Sequence, residues 1–423
     1  MMNKPLPIQE TLTTNLKVKS RAQWVSKLAK TQIIKKLKKL SLGQLNLIDG
    51  DDQHTFGKSG GINASITVHD QRFYGEIAFG GSIGAGEAYM LGYWSSDNLT
   101  DVVRIMCINQ SVMDTLEGGY QWLTKPVLKI LHWLNSNTTE GSRKNIAAHY
   151  DLGNEMFAIF LDPTMMYSSA MFNAQTTNLQ SGSELKLKTI CEKLDLQSTD
   201  HVVEIGTGWA GFAIYAASHY GCHVTTTTIS KQQFTLAKAR VEAAGLSHKI
   251  TLLLEDYREL QGQFDKLVSI EMVEAVGHQF YDTYFAKIGS LLKPNGLALI
   301  QAITIADQRY ESAKNSVDFI QRYIFPGSCI PSNTAMINSI SKMTNLRLFN
   351  LEDIGPHYAT TLNLWCKNFM ANRLQVKQLG YSDEFICMWE FYLCYCEGGF
   401  LERALGDVHL LLAKPDNRRK PIS

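Results

Sequence analysis

Long apolar runs are missing from this chain of 423 residues. None reaches the ~18–20 residues that a helix needs to span a bilayer. The opening residues lack the apolar core of a secretory leader, so a cytoplasmic location is expected. Cysteine is sparse and scattered, eight residues with no Cys-x-x-Cys pair, and neither a metal centre nor a disulfide framework is expected. Cys394 and Cys396 stand too close in sequence for the usual metal pair and read as buried thiols. Free thiols fit a reducing compartment. Internal repeats and low-complexity tracts are absent as well. With 45% hydrophobic and 19% charged residues, the composition is that of a globular protein, and the length accommodates one large domain and one smaller one.

Net charge is nearly balanced at +1, but residues 1–40 hold ten basic side chains against one acid, Glu10. That segment therefore carries +9 and the rest of the chain −8. From Thr31 to Leu40, Ile33, Ile34, Leu37 and Leu40 fall on one helical arc, with Lys35, Lys36 and Lys39 opposite. A basic amphipathic helix of this kind can lie on an anionic membrane, gaining about 1 kcal/mol per lysine near the surface. The plainer alternative is a helix packed on its own domain with a solvated basic face. No nucleic-acid reader motif accompanies the charge, so nucleic acid is not expected as a partner.

What is present is a short apolar run that breaks into glycines, His201-Val-Val-Glu-Ile-Gly-Thr-Gly-Trp-Ala-Gly211. The run suits a buried parallel strand. Gly206, Gly208 and Gly211 let the backbone turn and approach a ligand, and Phe212 to Ser218 reads as the following helix. A dinucleotide site wants an acid at the end of the second strand. Here that strand, Cys222 to Thr228, ends without one. Glu204 stands before the first glycine instead, and a third strand, Ile250 to Leu254, runs into Glu255-Asp256-Tyr257. Strands over Lys266–Ile270 and Leu297–Ile303 complete a doubly wound α/β pattern. This arrangement resembles the Rossmann-like class I S-adenosylmethionine-dependent methyltransferases, with a mostly parallel seven-stranded sheet.

The chain is expected to divide near residue 140. Residues 1–140 read as a smaller α+β domain that associates with lipid or membrane, and 141–423 as the catalytic domain. Ile62 to Val68 and Phe73 to Phe79 look like short strands, and Ala88 to Trp94 opens a more helical region. Leu116 to Leu134 is apolar and aromatic, and Ser136-Asn-Thr-Thr-Glu-Gly-Ser142 has the composition of a linker.

Beyond residue 140 the motifs become specific. They include His149-Tyr-Asp-Leu-Gly-Asn-Glu, Phe160-Leu-Asp-Pro-Thr-Met-Met-Tyr-Ser-Ser-Ala-Met-Phe172, Thr228-Ile-Ser-Lys-Gln-Gln, and Ser269-Ile-Glu-Met-Val-Glu-Ala-Val-Gly277. Arg322-Tyr-Ile-Phe-Pro-Gly-Ser-Cys-Ile-Pro-Ser332, His357-Tyr-Ala-Thr-Thr-Leu362 and Gly406-Asp-Val-His follow in order. Together they resemble the cyclopropane-fatty-acyl-phospholipid synthase family, which includes the mycolic acid cyclopropane synthases.

That resemblance implies transfer of a methylene unit from S-adenosylmethionine to the cis double bond of unsaturated phospholipid acyl chains. It also implies an anionic membrane surface as partner, peripheral attachment at the inner face, and allows a homodimer. The cofactor would lie against Glu204, Gly206, Gly208, Thr228, Ile229, Ser230, Gln233, Asp256, Tyr257 and Arg258, with Tyr167 and Ser168 closing over it. Gln233 stands in for the missing carboxylate, and Ser230 has the alternative role of capping the next helix. The family's bound bicarbonate, proposed as the base, maps onto Glu274, Tyr358 and the backbone of Ile303. Two positions depart: Ser169 replaces the usual cysteine and Gln301 the usual histidine. Ala275 replaces a histidine found in many members. Serine and glutamine still donate hydrogen bonds, but the same cation trapped differently gives a methyl-branched or methylated unsaturated chain. A non-membrane acyl substrate and a catalytically impaired binding protein are the other readings. His149, His278 and His357 lie within these motifs, either as ligands or as packing residues.

Overall fold

The computed structural model describes residues 23–112 and 153–420. Leu116–Leu134, the linker 136–142, the expected boundary at 140 and His149 lie outside the described residues. Two compact units emerge, and a single cut near 140 does not separate them. One unit combines residues 23–112 with Ser316–Pro326 and Trp365–Ala404; the other combines 153–315, Gly327–Leu364 and 405–420. Apolar helices late in the sequence complete the first unit's core, which a linear reading of composition does not reveal.

In the first unit, strands β1 (Gln44–Asp49), β2 (Asp52–Gly57), β3 (Asn63–Val68) and β4 (Trp94–Ser96) form a sheet in the order β2-β1-β3-β4. The β1–β3 pair is parallel and the other pairs antiparallel. Phe73–Phe79 is not a strand. It belongs to a helix over Arg72–Met90, kinked at Gly81, and Ala88 lies near the helix end rather than its start. Its aromatic and β-branched residues favour strands in isolation, but packing decides otherwise. Phe73 and Tyr74 are buried, and Phe73 packs on Trp94 at 5.9 Å. The helix Gln23–Leu37 buries Ser26, Ala29, Ile33 and Leu37, followed by Leu40, within its own unit. That is the packed-helix alternative: of the apolar arc Ile33, Leu37 and Leu40 are buried and Ile34 half-buried, while Lys27, Lys35, Lys38 and Lys39 remain exposed.

The second unit is built on a seven-stranded sheet: β5 (His201–Ile205), β6 (His223–Thr227), β7 (Ile250–Leu253), β8 (Phe264–Ile270), β9 (Leu292–Ile305), β10 (Arg347–Asp353) and β11 (Leu405–Ala413). The order is β10-β11-β9-β8-β5-β6-β7, parallel except for β11, which runs antiparallel to both of its neighbours. Alternate side chains feed two apolar layers. Val203, Leu267 and Ile300 pack in the layer with helices Tyr281–Leu291 and Asn333–Met343. Val202, Val268 and Leu299 pack in the layer with helices Leu179–Leu194, Gly211–Tyr220 and Lys231–Ala243. Because β5 lies between β6 and β8, the strand order reverses there, and a crevice opens at the carboxyl ends of the strands. Among the described residues no helix is long and apolar enough to cross a membrane.

Candidate active site

The glycine loop leaves β5 at the expected place. Gly206 and Gly208 have φ of +99° and +52°, conformations that glycine adopts without steric cost. Both Gly206 N–H and Thr207 N–H donate to Thr227 O on β6, at 3.1 and 3.0 Å. A Cβ on Gly206 would meet Met272 Cγ at 3.0 Å, whereas one on Gly208 would meet nothing within 4 Å, so open space adjoins the loop. Trp209 Nε1–H donates to Asn154 Oδ1 at 2.7 Å, and its ring packs on Phe157, which also packs on Tyr167.

Glu204 is buried, and its Oε2 has no hydrogen-bond partner among the described residues. Burial pushes its carboxyl up to about 8, opposed by the Thr226 hydroxyl and the Lys186 cation. A buried acceptor without a donor beside a glycine cradle fits the ammonium group of a bound S-adenosylmethionine.

At the end of β6, Thr228 hydroxyl donates to Gln233 Oε1 at 2.9 Å, and Ser230 Oγ accepts from Gln233 N–H, capping the helix Lys231–Ala243. Ser230 thus takes the capping role, which leaves the Gln233 amide nitrogen for a ligand; Ile229 between them is half-buried. After β7, Asp256 is buried and held by both arms of Arg258, at 2.8 and 2.7 Å. Tyr257 differs from the expected flanking role. Its ring is buried in the core, edge-on to Tyr284 at 5.6 Å, and the Arg258 cation lies 5.5 Å from it.

Of the five residues matched to an anion pocket, Ser169, Gln301 and Tyr358 converge on a side chain of the chain itself, and Glu274 and Ile303 bond each other beside them. Glu271 follows β8 directly. Its Oε1 accepts from Ser169 N–H and Gln301 Nε2, both at 2.8 Å, and its Oε2 accepts from Tyr358 OH at 2.6 Å. Ser169 hydroxyl donates instead to Ala170 O. Glu274 Oε1 accepts from Ile303 N–H, and its Oε2 has no partner among the described residues. Burial pushes Glu274 up to about 8, and the nearby Glu271 pushes the same way.

Several residues of this cluster carry no local sequence signal for their role. Asp407 Oδ2 accepts the second Gln301 N–H at 2.9 Å, and burial raises Asp407 well above the usual carboxylate range. His409 faces Gln301 Oε1 through Nε2 at 3.3 Å, and Lys193 Nζ through Nδ1 at 2.9 Å. An ammonium only donates, so Nδ1 accepts and the imidazole proton lies on Nε2. Gln301 is thereby oriented with its oxygen toward His409 and its nitrogen toward the two acids. Lys186 is fully buried, donates to Ser168 Oγ at 2.6 Å, and is pushed down to about 8 by burial against the pull of Glu271 and Asp407. His357 is a packing residue, accepting from Phe172 N–H at 3.3 Å, and His278 is exposed.

Comparison with known proteins agrees with this architecture. A tuberculostearic acid methyltransferase of Mycobacterium tuberculosis is 41% identical over 76% of this chain and 76% of its own length. A cyclopropane-fatty-acyl-phospholipid synthase of Escherichia coli is 38% identical over 82% of this chain and 86% of its own. The structure of mycolic acid cyclopropane synthase CmaA1 complexed with SAH and CTAB superposes with a TM-score of 0.60, at 28% identity, covering 64% of this chain and 98% of that one. Residues 137–410 match the family model described as mycolic acid cyclopropane synthetase. The glycine loop, the seven-stranded sheet and these matches agree, and the chain belongs to that family of S-adenosylmethionine-dependent methyltransferases.

Proposed function

We propose that the protein alkylates the cis double bond of unsaturated phospholipid acyl chains and closes a cyclopropane ring. When bound, S-adenosylmethionine supplies an electrophilic methyl group on sulfur. The observation that carries the reading is a carboxylate cluster, with Glu271 half-buried and Glu274 and Asp407 buried, in the same unit as the glycine loop. An alkene is an uncharged, poor nucleophile, and its alkylation leaves a carbocation that water would capture. A site of this kind needs low water access, fixed negative charge and one proton acceptor. Glu204 holds the cofactor's ammonium group, Gly206 and Gly208 admit its chain, and Gln233 and Asp256 contact ribose and adenine. Glu274 stays protonated near neutral pH and lends its dipole without a second full charge.

Bicarbonate does not fit these residues. The Ser169 N–H, Gln301 amide and Tyr358 hydroxyl that would hold it are engaged by Glu271.

The substrate reading is tested by expressing the protein in a host whose phospholipids are rich in cis-unsaturated chains. Mass spectrometry should show unsaturated chains heavier by one methylene group, with no double bond left to ozonolysis. Unaltered lipids in the presence of folded, cofactor-binding protein would sink it. A second reading is favoured by the 41% relative, whose name denotes a fatty-acid methyltransferase rather than a cyclopropane synthase. It expects the added carbon as a methyl branch or on a retained double bond. The saturated methyl branch is heavier than the cyclopropane by two hydrogens, whereas the methylated unsaturated chain has the cyclopropane's mass and is told apart by its cleavage in ozonolysis.

Attachment to an anionic cytoplasmic membrane surface is part of this proposal. The support is the exposed Lys27, Lys35, Lys38 and Lys39 on and after the helix Gln23–Leu37. With the apolar arc covered, the attraction is electrostatic rather than insertive.

A further inference from the structure

We infer that Glu271 is the base of the reaction, its carboxylate standing where the family resemblance places a bound bicarbonate. The inference rests on the alkylation reading above and names the group that takes the proton.

Geometry is the first support. Three of the five positions expected to hold an external anion, Ser169, Gln301 and Tyr358, donate to the two oxygens of Glu271. The two departures from the family pattern become intelligible together. Ser169 contributes only its backbone N–H, so a thiol is not needed there. Gln301 uses both amide hydrogens, one for Glu271 and one for Asp407, which a neutral imidazole with one N–H cannot do.

The backbone is the second support. Glu271 has φ +48°, a left-handed conformation that costs a residue with a side chain about 1–2 kcal/mol. Its N–H donates to Gln301 O at 2.8 Å, so the turn is locked to β9 as the chain leaves β8. Strain of this kind persists where surrounding structure imposes it, and it clusters at functional sites.

Charge balance is the third. Glu271, Glu274 and Asp407 repel one another in a cluster that the buried Lys186 cation faces. They cannot all be ionised. Glu271 collects three donors on its two oxygens, whereas Glu274 is served by backbone donors alone and Asp407 by the Gln301 amide, each with an oxygen left without a partner among the described residues. The negative charge therefore settles on Glu271. Its pKa is raised by burial and opposed by Tyr358, Lys186, Ser169 and Gln301.

The proton transfer balances without an oxidant or reductant. A carbon–carbon bond forms between the incoming methyl and one alkene carbon as the sulfur–methyl bond breaks, and positive charge develops on the other alkene carbon. Glu271 takes one proton from the new methyl group. The released C–H electron pair forms the third ring bond, and the resulting carboxylic acid returns its proton to water once product leaves. A proton beside a carbocation is strongly acidic, so a well-bonded carboxylate suffices as base. The three hydrogen bonds also occupy lone pairs that would otherwise capture the cation as an ester.

The test uses the full chain, S-adenosylmethionine and unsaturated phospholipid vesicles, with and without bicarbonate in carbon-dioxide-free buffer. Wild-type turnover should change less than about twofold between the two buffers, and NMR of isotopically labelled bicarbonate should show no saturable binding. Glu271→Gly relieves the backbone strain and vacates the anion position. It should lose about 10²–10⁴-fold in turnover, the usual worth of a positioned base. It should keep its S-adenosylmethionine affinity by calorimetry and bind labelled bicarbonate saturably. Glu271→Gln, which keeps the volume, should lose turnover and bind no bicarbonate. Wild type that needs or binds bicarbonate, or Glu271→Gly that turns over normally without it, would overturn the inference. Wild type that binds cofactor but alkylates no lipid in either buffer would overturn the substrate reading instead, and the labelled-bicarbonate arms would still decide whether Glu271 fills the anion position.

Discussion

At Glu204, a single unpartnered oxygen links cofactor binding to pH. In the cofactor-free protein its carboxyl is raised to about 8 by burial. The native state therefore holds a proton that the unfolded chain releases above its ordinary carboxylate range. On this account stability falls as pH rises toward 8. An ammonium group placed on Oε2 reverses the balance and expels the proton. Affinity for S-adenosylmethionine should accordingly rise from about pH 6 to about pH 8, by up to about tenfold per pH unit for one linked proton. Glu204→Gln should bind weakly with a flat profile; calorimetry in buffers of different ionisation enthalpy counts the proton directly. Gln301 supports a different expectation. Gln301→His restores a family residue yet should lower turnover, because one of the two acids loses its donor, at about 1–3 kcal/mol or roughly five- to 150-fold. Combined with Glu271→Gly, the same change should recover activity that depends on bicarbonate; undiminished turnover in the single variant would show that the amide pair is dispensable. The matched positions 169, 274, 301, 303 and 358 were legible because each stands in a recognisable local motif. Glu271 was not, since its role is set by donors that arrive from residues 169, 301 and 358 and by a turn that no local pattern signals.

Whole elements were legible where burial imposes a simple pattern. Val202–Ile205, Val224–Thr227 and Leu297–Ile303 are covered on both faces of the sheet and, apart from the site residues Glu204 and Gln301, are apolar or small, which is why the strands of the parallel sheet could be read to within a few residues. Phe73–Phe79 failed because its strand-forming residues serve a helix packed against its own unit. Gly84 and Gly86 sit there for closeness: a Cβ would lie 1.9 Å from Glu76 O and 2.4 Å from the Phe319 ring, respectively. The helix Gln23–Leu37 shows how an amphipathic pattern can be read correctly while its use stays open. Its buried stripe is taken, so only the basic side remains for a membrane. Replacing Lys35, Lys36, Lys38 and Lys39 with glutamine should reduce co-sedimentation with anionic vesicles at least tenfold, at about 1 kcal/mol per lysine near the surface. The melting temperature should hardly move, because Lys35, Lys38 and Lys39 are exposed. Wild-type binding should itself fade in high salt as the attraction is screened. Equal pelleting of variant and wild type would mean that the basic side merely keeps the helix solvated.

The whole molecule departs most from its linear reading in how the two units share the chain. Composition marks a change near residue 140, and a truncated chain beginning there looks like a self-sufficient catalytic domain. The contacts argue otherwise. The helix Asp383–Leu401 belongs to the first unit, where it packs on the helices Arg72–Met90 and Leu99–Ile108. It buries Phe385, Ile386, Met388, Trp389, Phe391 and Tyr392. Phe391 packs on Tyr89 at 5.8 Å and on Phe319 at 4.7 Å, and Glu390 accepts from Tyr89 OH at 2.9 Å. Thr100 hydroxyl donates to Glu397, and Arg104 bonds Glu402. Removing residues 1–140 strips these partners from a helix that the remaining chain still contains. Each large apolar side chain returned to water forfeits about 1.5–3 kcal/mol, and several together rival the ~5–15 kcal/mol that stabilises a whole protein. The truncated chain should therefore express as aggregate, or bind a hydrophobic dye strongly and lose cooperative thermal unfolding, even though every strand of the seven-stranded sheet and every matched site residue is retained. Recovery of a monomeric, cooperatively melting fragment with undiminished affinity for S-adenosylmethionine would show that the second unit stands alone and that residues 383–401 tolerate exposure.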